Sequence, residues 1–478
     1  FMYCIIKNRY MVPFHLKIRG RNIMVKNRIK SVNGYIFLIL LIGLGFLWTG
    51  AAYIAQAYRL LAILDGNTVN LISCGVHYVC QAVGIGAVAW LFAKRPSIAG
   101  GKVIPLCTTV LAIICTALSL HASSLMLILI FGSLLNLAIG VLSGCYLTRL
   151  STDIPQQRRG LVFGCAYALG SIGTWLVSLP MDGSFLWHSR SFLAITILAA
   201  LTVPLILRLS APPFQENINK RPHETFEKKL IFLAAVVLFL LSMENTLGFA
   251  FPLKSASGSV YIEFTRVFYG IGLVVAGLVS DKSRRYGAIC CLAALAFPFG
   301  ALALGSNVTG ETAMWILAYL FLGFWSVYRL LVFSDVACRT GMPVFAVFGL
   351  LFGRLGEATG TLGVGLFTGT MLIVISGAVF VLVIGLFFVL YQKLYISVTS
   401  PEKLEQQRFV AYTTYFGFSA REREIFALLI RGMSNAEIAG ELYITESTVK
   451  FHIGNMFKKS GFTRRTEFIT DYMLGQTR

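Results

Sequence analysis

The chain has 478 residues, 56% of them hydrophobic and 13% charged, with a mean hydropathy of +0.75. A soluble core stops growing near ~250 to 300 residues, so this much apolar side chain excludes a single water-soluble globule and points to a lipid-embedded chain. The net charge is +20, with Lys and Arg gathered between apolar stretches and in the tails, which suits anionic lipid head groups and nucleic acid.

In chain order, residues 1–31 are basic and show no apolar core followed by a small-residue cleavage site. They read as a basic cytoplasmic segment rather than a removable signal, with Met2, Met11 and Met24 as alternative starts and no function on residues 1–23. Windows of about 20 residues then predict twelve membrane helices. They lie near 32–57, 68–93, 103–121, 124–147, 160–179, 191–209, 230–251, 260–280, 286–305, 312–334, 343–366 and 369–391. An even number puts both tails on one side.

Lys94, Arg95 and Lys102, then Arg149, Arg158 and Arg159, then Arg208, Lys220, Arg221, Lys228 and Lys229, then Lys282, Arg284, Arg285 and Arg339 fall in loops of that same side. The opposite loops carry little beyond Arg59, Arg190 and Lys254, so both termini are expected in the cytoplasm. The ten cysteines form no C-x-x-C pair or His/Cys metal spacing and read as small apolar side chains.

Two blocks of six helices, 32–209 and 230–391, flank a polar loop at 210–229. This six-plus-six layout resembles the major facilitator superfamily. "GLVSDKSRRYG", Gly277 to Gly287, is similar to that family's loop signature at Gly277, Asp281, Lys282, Arg284 and Arg285. Ser283 replaces its middle glycine, the spacing is one residue short, and the matching loop of the first half, "FAKRPSIAGGK", lacks the aspartate.

The bodies of the first six helices hold no Asp, Glu, Lys or Arg, whereas the second half holds Glu244, Glu263, Arg266, Arg329, Arg354 and Glu357. A charge at the bilayer centre costs roughly 2.5 to 3.5 kcal/mol, so these six are the candidate ligand-sensing residues. The third and sixth helices of each half are free of charge, in keeping with the lipid-facing role that the resemblance implies. Glu263 with Arg266, and Arg354 with Glu357, sit three apart and can neutralise one another locally. Glu244 and Arg329 have no such neighbour, so they lead the candidates. Arg329 is expected to hold an anionic ligand group or the Glu244 side chain.

Residues 392–418, polar and broken by Pro401, read as a linker with room for short helices. Beyond them Ser419 and Ser434 open capping boxes with Glu422 and Glu437, and Thr445 and Thr463 are further N-cap candidates. Gly432 and Gly461 stand where helix ends favour a left-handed residue. Four short helices are therefore expected in 419–474. Their apolar faces are Ile425, Leu428 and Leu429; Ile438, Ala439 and Leu442; Val449, Ile453, Met456 and Phe457; and Phe468 with Ile469.

The third helix turns Ser447, Phe451, Gly454, Asn455 and Lys458 away from that core, with Thr448 and Lys450 on the flanks. Helix 434–443, the turn Ile444-Thr445 and a helix from Glu446 make a helix-turn-helix. "FSAREREIFALLIRGMSNAEIAGELYITESTVKFHIGNMFKKSGFTRRTEF", Phe418 to Phe468, resembles the LuxR-type DNA-binding domain nearly position by position. The resemblance implies that Lys450 and Phe451 reach the major groove and that Thr448, Asn455 and Lys458 lie near bases or phosphates. It also implies that Ser434 and Asn435 open the helix crossing the backbone. Thr445 and Ser447 complete the candidate DNA-binding set. The chemistry is apt: Lys suits phosphate or guanine, Asn adenine, and Phe a thymine methyl. Gly454 and Ser460 depart from the family pattern, at a base-facing and a core position.

The expected fold is all-α: a polytopic twelve-helix membrane bundle of two six-helix halves over 32–391, then a four-helix LuxR-type helix-turn-helix domain at 419–478. The expected function is a one-component transcription regulator of the bacterial inner membrane, with no catalytic residue, metal or cofactor. Its partners would be double-stranded promoter DNA, the lipid bilayer and an unidentified small-molecule ligand for which an anion is the candidate. The resemblance adds a dimer through residues 464–474 and RNA polymerase as a candidate contact. The alternative is an active secondary transporter carrying a DNA-binding regulatory tail. An enzyme has no nucleophile elbow, phosphate loop or ligand spacing in its favour.

Overall fold

The computed structural model describes residues 17–18, 21–22, 32–178, 189–209, 225–255, 265, 267–304, 307–340, 343–367, 369–396 and 401–474. Most of the basic N-terminal segment and of the central loop, together with Glu263 and Arg266, lies outside them. The chain forms two compact units, Phe1–Tyr395 and Ile396–Arg478. Among the described residues the only pairing of strands is the two-residue antiparallel ladder of Lys17–Ile18 with Arg21–Asn22.

The first unit contains twelve long helices among the described residues. In the first half these are α1 (Val32–Leu61), α2 (Gly66–Lys94), α3 (Val103–His121), α4 (Leu125–Asp153), α5 (Arg159–Ser178) and α6 (Ser189–Leu207). The second half supplies α7 (Thr225–Ser255), α8 (Val267–Lys282), α9 (Arg284–Ala303), α10 (Val308–Thr340), α11 (Phe348–Leu366) and α12 (Gly369–Tyr395). Eight spans, in α1 to α5, α7, α10 and α12, are long and apolar enough by length and composition to cross a membrane. Among the rest, α11 carries Arg354 and Glu357 in mid-helix and is rich in glycine.

The packing repeats with a shift of six helices. α1 packs on α5 and α2 on α4, while α7 packs on α11 and α8 on α10; across the halves, α5 meets α8 as α11 meets α2. Helices of a membrane bundle approach closely where small residues let their backbones touch. A Cβ on Gly277 of α8 would lie 2.4 Å from the Gly160 carbonyl oxygen of α5, and one on Gly140 of α4 would lie 2.1 Å from that of Gln81 in α2. The outer helices turn apolar side chains outward: Val110 and Ile114 in α3, Leu193 and Ile197 in α6, and Met371, Val374 and Val381 in α12 are exposed. The apolar window of α12 is 22% buried against 72% for α10, which separates a lipid-facing helix from a central one.

The signature-like loop has a structural task. Asp281, at the end of α8, accepts from the backbone N–H groups of Gly160 (2.9 Å) and Leu161 (2.8 Å) in the first turn of α5. These are orphan donors, and a carboxylate there also faces the positive end of the helix dipole. Arg284 joins Asp281 (3.0 Å) to Asp335 of α10 (3.3 Å), and Gln156 donates to Asp335 at 2.7 Å. The two halves are thus tied at this end by charge-assisted bonds.

The second unit holds α13 (Pro401–Tyr415), α14 (Ala420–Leu429), α15 (Asn435–Glu441), α16 (Glu446–Ser460) and α17 (Arg465–Leu474). The four helices expected in 419–474 are present. The linker expected over 392–418 had room for short helices and holds one at 401–415, but its aromatic side chains enter the core, which that reading did not include. Phe409 stacks on Phe426 at 5.7 Å, Tyr412 on the same ring at 5.5 Å, and Tyr412 is 4% exposed. Polar composition had masked an apolar stripe at Phe409, Tyr412 and Phe416, whose spacing of three and four is helical. The core assigned from sequence is otherwise buried or half-buried, but it lacked Phe426, Tyr472 and Phe418, which are 0%, 2% and 2% exposed.

Candidate DNA-binding face and membrane-unit cavity

Three helices of the second unit, α14, α15 and α16, begin where a side chain replaces a missing backbone partner. Ser419 and Ser434 make complete capping boxes with Glu422 and Glu437, and Thr445 Oγ1 accepts from the Thr448 N–H. The Thr463 cap is corrected: α17 starts at Arg465 and the Phe468 N–H donates to the Arg464 carbonyl, so Arg464 holds the cap position. Gly432 and Gly461 have φ of +86° and +78°, which favours glycine at these helix ends. Tyr443 closes the turn after α15 with φ +53° and is 95% exposed, while the Ile444 N–H returns to the Ala439 carbonyl at 3.0 Å.

In α16, Val449, Ile453 and Met456 point into the core. Ser447, Lys450, Phe451 and Lys458 are exposed, while Thr448, Gly454 and Asn455 are half-buried. Phe451, 64% exposed, is a large apolar side chain with no core to fill. Lys450 stands 3.7 Å from Glu446, both largely exposed, a weak pairing that leaves the ammonium available.

Five candidates are engaged within the protein. Ser434 is a cap, Asn435 Oδ1 accepts from Arg465 Nη1 at 3.1 Å, and Thr445 Oγ1 lies 2.8 Å from the hydroxyls of both Ser447 and Thr448. Sequence reasoning passed over the basic residues that brace the motif. Arg421 donates to the Leu442 carbonyl at 3.1 Å, Arg465 donates to the Met433 carbonyl, and Lys459 reaches Glu422 at 2.6 Å. All three stand at positions that the family pattern specifies, which was the available signal. Ser460 satisfies its hydroxyl on the Met456 carbonyl at 2.7 Å, and a Cβ at Gly454 would meet nothing within 4 Å.

In the first unit, a cavity with lobes of about 280 and 330 Å³ opens between the halves, and Tyr78, Tyr167, Arg329 and Arg354 line both lobes. The expected contact between Arg329 and Glu244 is corrected. Arg329 Nη1 donates to Glu357 Oε1 at 2.5 Å, and Arg354 Nη1 to Glu357 Oε2 at 2.7 Å. Arg329 also lies over the Trp325 ring and Arg354 over the Tyr78 ring, each at 4.2 Å from the centroid. Glu244 instead faces α12, where its Oε1 accepts from Ser376 Oγ at 2.6 Å. The helical packing of α10 on α11 decides this pairing, which spans 28 positions of sequence and so leaves no local signal.

The arrangement is a transporter-like helix bundle continued by a helix-turn-helix unit. The bundle covers 98% of a crystal structure of the major facilitator superfamily transporter FucP in the outward conformation, and 76% of this chain, with a TM-score of 0.58 at 13% identity. It covers 99% of a nucleoside transporter NupG structure and 75% of this chain, with a TM-score of 0.52 at 15% identity. Residues 417–471 match the family described as bacterial regulatory proteins, luxR family. Over 53 residues the chain is 42% identical to the spore germination protein GerE of Bacillus subtilis, covering 72% of GerE and 11% of this chain. Over 50 residues it is 48% identical to the CsgBAC operon transcriptional regulatory protein of Escherichia coli, spanning about a quarter of that protein (23%) and 10% of this chain. The chain belongs to the LuxR family of bacterial regulatory proteins through its C-terminal unit, and its membrane unit has the major facilitator fold.

Proposed function

We propose that this chain is a one-component transcription regulator of the bacterial inner membrane, with both termini in the cytoplasm. Its membrane unit binds a small molecule and its LuxR-type unit binds promoter DNA. The observation that carries the reading is that one chain combines an exposed basic and aromatic face on α16 with a cavity lined by buried cations. Ser447, Lys450, Phe451 and Lys458 enter the major groove, Thr448 and Asn455 flank them, and Ser434, Asn435 and Thr445 approach phosphates at the helix N-termini. Arg329, Arg354 and Glu357 hold the ligand.

The exposed Thr466, Glu467 and Thr470 of α17 supply the dimer contact, since Phe468 and Tyr472 are buried in the unit's own core. RNA polymerase is the partner through which bound regulator acts.

The second reading, a working transporter with a regulatory tail, draws support from Glu244, a buried carboxyl whose Oε2 has no hydrogen-bond partner among the described residues. Uptake into vesicles and reporter output, each measured with and without residues 401–478, separate the two. A regulator loses only transcription on truncation and shows no uptake; a transporter keeps its uptake.

A further inference from the structure

The lining of the membrane-unit cavity is electrically unbalanced. Among the described residues it contains two guanidiniums, Arg329 and Arg354, and one carboxylate, Glu357. Both Glu357 oxygens are already used, one on each arginine. The Arg354 Nε is buried and has no hydrogen-bond partner among the described residues. One carboxylate neutralises one guanidinium, so among the described residues a single positive charge remains in a low-dielectric wall, where an uncompensated charge is costly.

The rest of the described lining is neutral. Tyr53, Tyr78, Tyr167, Trp175, Tyr269 and Trp325 supply ring faces and edges. On the first-half side, Gln81 begins a buried amide chain: its Nε2 donates to Asn136 Oδ1 at 2.8 Å, and Asn136 Nδ2 donates to Gln56 Oε1 at 3.0 Å. Amides can pair with a hydroxyl or another amide but supply no second charge. The cavity therefore has one charged pole, aromatic walls and one neutral polar pole.

Resting on the reading that this cavity is the ligand site, we propose that its ligand is a small organic acid carrying one carboxylate on a flat aromatic body. The carboxylate meets the Arg354 and Arg329 guanidiniums, the ring lies among the tyrosines and tryptophans, and a polar substituent points towards Gln81. Guanidinium forks onto carboxylate, and its plane here is already fixed by the Tyr78 and Trp325 rings. A dianion would leave an excess negative charge, and a cation would add to the existing positive one.

The test is binding to the purified full chain in lipid nanodiscs, read by thermal shift and tryptophan quenching, with benzoate, its neutral isostere benzamide, benzylamine, acetate and the dianion phthalate as probes. Benzoate should bind best, with benzamide weaker by roughly 10- to 150-fold, the factor for one lost charge-assisted bond. Arg354→Gln should erase that preference; if it does not purify as a folded species, Arg354→Lys, which keeps the charge without the fork, should retain a reduced preference. Glu357→Gln, by raising the local charge, should shift preference from benzoate towards phthalate. Equal binding of benzoate and benzamide, a preference for benzylamine, or no binding of any ring compound overturns the proposal. A promoter reporter keeps the two ideas apart. A neutral compound that binds and switches the reporter sinks the ligand class but leaves the sensing role, whereas benzoate that binds without any effect on transcription sinks the sensing role alone.

Discussion

Lys459, in the last turn of α16, places its ammonium 2.6 Å from the Glu422 carboxylate in the first turn of α14, so one ion pair joins these two helices. The same Glu422 oxygen accepts from the Ser419 N–H at 2.6 Å, which merges the ion pair with a helix cap.

Lys459→Met keeps the aliphatic stem and removes the charge, leaving a buried carboxylate with its cap alone. The domain should lose about 1 to 3 kcal/mol in urea denaturation. Burial pushes the Glu422 carboxyl up, but Lys459 and the Ser419 cap outweigh it and hold it below the usual carboxylate range. This contribution is present above the unfolded value of about 4.3 and is lost as pH falls through the lower folded value. The variant's acid-unfolding midpoint should therefore move to higher pH than that of the natural sequence.

Residues 397–478 should form a cooperative, DNA-binding fragment, whereas 412–478 should be less stable by about 2 to 4 kcal/mol, because it lacks residues 401–411 of α13 and with them the Phe409 contact with Phe426. Circular dichroism of the two fragments during denaturation checks this. Equal midpoints would show α13 to be an appendage.

Lys450→Ala and Phe451→Ala should each cost about 1 to 3 kcal/mol in specific promoter binding with unchanged thermal stability. Val449→Asp should unfold the unit, since it buries a charge at a side chain with 0% exposure. Binding by the natural sequence should weaken steeply with salt as phosphate contacts release counterions. Unaltered promoter affinity in all three variants would reverse the orientation assigned to α16.

Gly454→Ala should stabilise the second unit by about 1 kcal/mol, because glycine is a poor helix former and open space surrounds the added methyl. If the glycine serves close approach of the helix to DNA, promoter affinity falls while stability rises. Mobility shift and thermal denaturation on one preparation read both quantities.

Arg329→Gln should destabilise the membrane unit and the addition of Glu244→Gln should not rescue it, since the arginine's partner is Glu357. Adding Glu357→Gln instead should deepen the loss of thermal stability in nanodiscs, because Arg354 then also loses its carboxylate.

What the sequence by itself determined is what depends on neighbours a few positions apart. The caps at Ser419, Ser434 and Thr445 are contacts over three residues, and the left-handed turns at Gly432 and Gly461 need only one permissive residue each. Bilayer thickness sets helix length, so twelve apolar runs were legible without any contact between them. The tertiary structure decided what depends on which helices meet. Arg329 finds Glu357 only because α10 lies against α11, and Asp281 finds the orphan amides of Gly160 and Leu161 only because α8 crosses α5 at a pair of glycines. α13 entered the core although its polar composition read as a linker, because Phe409 and Tyr412 align only once the chain is helical and Phe426 offers a ring to cover. Charge placement along a sequence names candidates; pairing is set by distance in space, which long-range packing alone fixes.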